Sequence, residues 1–105
     1  MNPGNWHRAC QGLYVDPTET WVVERQERSW WTIRACLGYG PLLDGTLFPD
    51  MGGIWHGDYR TLSEAKYAVE QMTKNGETPA LEPQEERIRE MNLARVSETI
   101  WKVGV

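Results

Sequence analysis

Between Trp21 and Cys36 the chain alternates apolar and polar residues in a way that suits strands rather than helices. Trp21–Gln26 and Trp30–Cys36 are rich in aromatic and β-branched residues, and the polar link Glu27-Arg28-Ser29 between them suits a hairpin. On the second run Trp31, Ile33 and Ala35 share one face, and Trp30, Thr32 and Arg34 share the other. The adjacent indoles of Trp30 and Trp31 must then part, one into a core and one towards solvent or a partner. Gly53–Tyr59 is predicted as a third strand, with Trp55 and Tyr59 on one side and Ile54, His56 and Asp58 on the other.

A helix follows. Thr61-Leu62-Ser63-Glu64 matches a capping box, and Leu62, Ala65, Ala68, Val69 and Met72 recur at helical spacing. Asn75-Gly76 supplies its stop. The stretch before Trp21, with Asp16-Pro17-Thr18 as a turn, is an irregular lead-in holding at most a short strand at Leu13–Val15. Leu37–Met51 carries four glycine or proline breaks before Pro49 and is predicted as a long loop folded over a sheet edge. Beyond Pro79 the pattern weakens. Pro83-Gln84-Glu85-Glu86 resembles a helix start, and Ser97–Val103 fits either a helix or a strand through which Ile100, Trp101 and Val103 dock.

The expected architecture is α+β: a three-stranded antiparallel sheet packed on one capped helix, with a C-terminal helix or strand. Residues 1–105 form a single domain, with a lead-in at 1–19, a β-β-β-α core at 20–76 and an extension at 77–105. Trp21, Val23, Trp31, Ile33, Trp55, Tyr59, Leu62, Ala65, Val69 and Met72 are the expected core.

Composition changes this picture in two places. Six tryptophans in 105 residues are unusual for so small a chain. The net charge of −4 opposes non-specific binding to a phosphate backbone. No apolar run suits a membrane span and no signal segment opens the chain, so a cytoplasmic location and no membrane partner are expected. Cys10 and Cys36 are expected as reduced thiols.

Catalytic chemistry finds little support. His7, Cys10, Cys36 and His56 are the only soft metal ligands, but they lack the paired spacing of a zinc site. His56 near Asp58 has no accompanying nucleophile, and Gly38-Tyr39-Gly40 lacks the rest of a nucleotide fingerprint. No enzyme, cofactor or metal is expected.

The segment from Trp55-His56-Gly57-Asp58-Tyr59-Arg60-Thr61 to Glu64-Ala65 resembles the strand-into-helix junction of plant-type AP2 DNA-binding domains. That resemblance implies a three-stranded sheet whose outer face reads the major groove, here through Arg25, Arg28, Trp30 and Arg34. This chain departs from the pattern in its longer connection between strands two and three, and in placing Glu24 and Asp58 beside Arg34. Pro49-Asp50-Met51-Gly52-Gly53, with Gly57-Asp58 and Thr61-Leu62-Ser63-Glu64-Ala65, is similar to part of the HicB-type antitoxins, which implies neutralisation of a small ribonuclease.

Weighed together, the residues favour a small non-enzymatic module, an inhibitor or adaptor of phage or mobile-element type that docks a host protein. Its contact face is expected to comprise Val22, Glu24, Trp30, Thr32, Arg34, Ile54, His56 and Asp58. The mixture of an indole, aliphatics and both charge signs matches an interface core with a polar rim.

Overall fold

The computed structural model describes residues 5–27 and 30–103, with side chains described as far as Arg95. Its strands are β1 (His7–Cys10), β2 (Leu13–Val15), β3 (Trp21–Gln26), β4 (Trp30–Pro41) and β5 (Leu47–Tyr59). Two helices follow, α1 (Leu62–Lys74) and α2 (Pro83–Val103). The strands form one antiparallel sheet in chain order, β1-β2-β3-β4-β5.

The expected three-stranded sheet on one helix is therefore corrected to five strands and two helices. The lead-in escaped because His7–Cys10 has no β-branched residue and pairs only with a three-residue neighbour. Gly12, at φ 81°, makes the tight turn between them. The expected loop Leu37–Met51 is instead the far half of a β4–β5 hairpin, paired as Cys36↔Met51, Tyr39↔Pro49 and Pro41↔Leu47. Glycine and proline disguised these strands because they sit at register shifts and on an outer strand, where both are tolerated.

α1 spans the residues that the capping box and apolar spacing indicate. The Thr61 hydroxyl accepts from Glu64 N at 3.1 Å, and the Glu64 carboxylate accepts from Arg60 N at 3.1 Å, one residue before the cap. Gly76, at φ 73°, turns the chain out of the helix. Ala65, Val69 and Met72 pack on Trp21, Val23 and Ile33, with Trp31, Tyr59 and Leu62 half-buried at the margin. Trp55 departs from its expected core place. It is 37% exposed and leans on Trp21 with ring centroids 5.9 Å apart.

α2 crosses the distal part of β4 and is pinned there by polar groups. Asn92 Nδ2 donates to Leu37 O and to Asp50 Oδ2, each at 2.8 Å, and Gly53 N donates to Glu85 Oε2 at 2.9 Å. The close approach is possible because Gly38 and Gly52 lack side chains. A Cβ on Gly38 would lie 3.0 Å from Asn92 Cβ, and one on Gly52 would collide with the Glu85 carboxylate. The side chains of Ile100, Trp101 and Val103, expected to dock, lie outside the described residues.

The other face of the sheet has a core of its own. Leu13, Val15, Val22 and Cys36 are buried there beneath Tyr39, Phe48 and Met51, which the curled β4–β5 hairpin brings over them. Burial pushes the Tyr39 phenol up to about 12, with nearby Glu19 adding to the shift, and likewise raises the Cys36 thiol. Among the described residues no helix is long and apolar enough to cross a membrane.

Candidate protein-docking face

The face away from α1 divides into a part closed by the hairpin and a part left open. The open end is built by β3 and β4, whose register places Glu24 opposite Thr32, Gln26 opposite Trp30 and Val22 opposite Arg34. Residues opposite one another in an antiparallel pair share a face. Gln26 Nε2 donates to Glu24 Oε1 at 2.8 Å and to Thr32 Oγ1 at 3.2 Å, and Thr32 Oγ1 donates to Glu24 O at 3.4 Å. Arg34 Nε lies 3.0 Å from Glu24 Oε1 without a hydrogen-bond alignment, so the contact is ionic. Its NH1 donates to Gly52 O at 3.3 Å.

Trp30 stands at the end of this polar ladder. It is 41% exposed, and the Arg60 guanidinium carbon lies 5.9 Å from its ring centroid. Ile54, opposite Arg34 across the β4–β5 pairing, is 57% exposed. The two adjacent indoles part as strand alternation requires: Trp31 packs against the α1 core and lies 6.1 Å from the Tyr14 ring.

Of the eight residues expected on one contact face, the structure brings together Glu24, Trp30, Thr32, Arg34 and Ile54. Val22 and His56 are placed otherwise, and no strand pairing sets Asp58 on this face. Val22 is fully buried under the hairpin and offers nothing to a partner. His56 pairs with Ile33, on the α1 side, because β5 gains a residue between the pairs Arg34↔Ile54 and Ile33↔His56. Such an insertion reverses the alternation beyond it. Asp58 sits in a left-handed conformation at φ 69°, within another shifted stretch, and Thr32, though on the face, is buried. Arg25 pairs with Trp31 and so takes the α1 side, away from Arg34, while Arg28 lies outside the described residues.

Gln26 and Arg60 are the participants that sequence reasoning missed. Gln26 was legible as the hairpin partner of Trp30, whereas Arg60 lies beyond the strand and reaches Trp30 only through the β4–β5 pairing. The four soft ligands are not assembled, since among the described residues no three or more His, Cys, Asp or Glu side chains gather to hold a metal. Cys10 and Cys36 are free thiols. Comparison with protein-family models, curated proteins and solved structures finds no match for this chain.

Proposed function

We propose that the chain is a non-enzymatic protein-binding module, an inhibitor or adaptor whose docking face is the open end of the sheet around Trp30. The observation that carries this reading is an indole 41% exposed beneath the Arg60 guanidinium at one end of the β3–β4 ladder, with the exposed Ile54 opposite Arg34 towards the other. Trp and Arg dominate binding energy at many protein interfaces, and a polar surround shields them from water. Glu24 supports a protein partner over a nucleic acid. Its carboxylate lies against Arg34, so the cation that a phosphate would need already has a counter-charge.

The test is affinity capture from the native host with the wild-type chain and Trp30→Ala in parallel, followed by titration of the purified captured protein. The expected result is a partner whose affinity falls by more than about fivefold, or roughly 1 kcal/mol, in both Trp30→Ala and Arg34→Ala. Sub-micromolar, salt-sensitive binding to duplex DNA that disappears in Arg34→Ala, with no protein recovered, would overturn the proposal.

A further inference from the structure

A cleft of about 310 Å³ runs between the Asp16–Thr18 turn and the C-terminal half of α1, walled by the Trp6 indole, Pro17 and Val69, with Thr73 on its helix side. Small-molecule sites have this character: concave, mostly apolar, with a few charged groups placed to orient the ligand. The turn that forms one wall is rigid. The Asp16 carboxylate, only 3% exposed, accepts from the amides of Thr18, Thr20 and Trp21 and from the Thr18 hydroxyl, which fixes Pro17 in place.

Charge selects the ligand. Asp16 and Glu70 line the cleft against Lys74 alone. A smaller hollow of about 180 Å³ shares Thr18 and Thr73 with the cleft, and its lining adds Glu77. Three carboxylates thus face one ammonium. Asp16 is saturated by its own donors and acts on a ligand through its field, whereas Glu70 and Glu77 are exposed and hold no ion pair among the described residues. A cation is favoured at this margin and an anion is opposed.

Trp6 suits an ammonium in particular. Lys66 Nζ lies 5.3 Å from the Trp6 ring centroid and 5.0 Å from that of Tyr14, so this indole already draws one cation of the chain itself. Neither Lys66 nor Tyr14 lines the cleft, which leaves the cleft side of the indole to a ligand.

We propose that this cleft binds a small organic amine, its hydrocarbon part between Trp6, Pro17 and Val69 and its ammonium at the margin held by Glu70 and Glu77. The site is separate from the Trp30 face, and the two stand or fall independently.

Titration of the full chain with phenethylamine, followed by heteronuclear NMR, tests this. Phenethyl alcohol and phenylpropionate serve as neutral and anionic ligands of similar shape. The amine should bind at about 1 mM or tighter, the scale for so few atoms, and move the Trp6 indole N–H and the Val69 and Thr73 amides. The alcohol should bind about tenfold more weakly, and the carboxylate more weakly still. Glu70→Gln should lower the amine's affinity and Lys74→Gln should raise it, opposite signs that a general loss of structure cannot produce. Thr73→Trp should fill the cleft and abolish binding; the position is exposed, and far-ultraviolet circular dichroism checks that the variant folds. An alcohol or carboxylate that binds as well as the amine, binding that survives Thr73→Trp, affinity unmoved by both charge substitutions, or no binding up to about 10 mM would overturn the proposal.

Discussion

Gly38→Ala is the substitution that most directly probes how α2 is held. Gly38 lies at φ 84°, where an alanine costs roughly 1–2 kcal/mol from backbone strain alone. Its Cβ would also stand 3.0 Å from Asn92 Cβ, tighter than nine in ten such contacts, so the neighbour must give by a few tenths of an ångström. Relief requires α2 to move away, which weakens the Asn92 bonds to Leu37 O and Asp50, each worth about 0.5–1.5 kcal/mol or more where a charge is involved. The combined loss should be about 2–5 kcal/mol. Gly45→Ala is the matched control, because Gly45 lies at φ 87° with open space around it and should show the strain alone. Denaturant titration gives both losses, and hydrogen exchange should show faster exchange of α2 amides in Gly38→Ala only. Equal losses, with α2 equally protected in both, would refute the claim that this glycine exists to seat the helix.

Two further outcomes follow from the packing. Trp31→Ala should cost about 2–3 kcal/mol, below the 3–5 of a fully buried tryptophan because its ring lies at the core margin, whereas Trp30→Ala should cost no more than about 1 kcal/mol, the scale of its contact with Arg60; denaturant midpoints check this, and equal losses would contradict the alternation. The Tyr39 phenol, raised from 10.0 to about 12, is neutral in the folded chain over a range where the unfolded chain has already lost the proton. It therefore contributes stability below pH 10 that is lost as pH rises towards about 12, and Tyr39→Phe should flatten that decline in an alkaline denaturation series.

Sequence pattern located what local chemistry determines. The α1 cap, the apolar stripe from Leu62 to Met72 and the Gly76 exit are all short-range, and they stand where the residues placed them. The divergence of Trp30 and Trp31 was legible for the same reason, since strand alternation acts between neighbours. The pairing of β4 with β5 was not. Its register shifts at four places between Trp31 and Tyr39, and each shift alters which side chains share a face. Period-two counting from Ile54 to His56 therefore joined residues that a bulge separates. The burial of Val22 was hidden for a longer-range reason: it depends on Tyr39, Phe48 and Met51 arriving from a segment whose glycines and prolines read as loop.

Three covers, each made differently, define what the sheet leaves open. α1 closes one face by apolar packing, α2 closes the distal part of β4 through polar pins and missing side chains, and the curled hairpin closes half of the opposite face. What remains is the Gln26–Glu24–Thr32–Arg34 ladder, bordered by Trp30 and Ile54. Within the ladder Gln26, Glu24 and Thr32 already satisfy one another and Arg34 Nε is held by its ion pair alone, so a partner gains little by replacing those contacts. Arg34→Ala weakens binding by leaving the Glu24 charge unbalanced. The favourable free energy available to a partner lies in the indole and the isoleucine, which are exposed without an apolar cover. An interface driven this way responds only modestly to salt, since the Glu24–Arg34 pair is neutral as a unit and Arg60, over Trp30, adds a single cation to screen. Salt dependence of the partner's affinity therefore separates this face from a charge-led surface: a shallow slope fits the Trp30 docking face, and a steep one would place the binding energy elsewhere on the molecule.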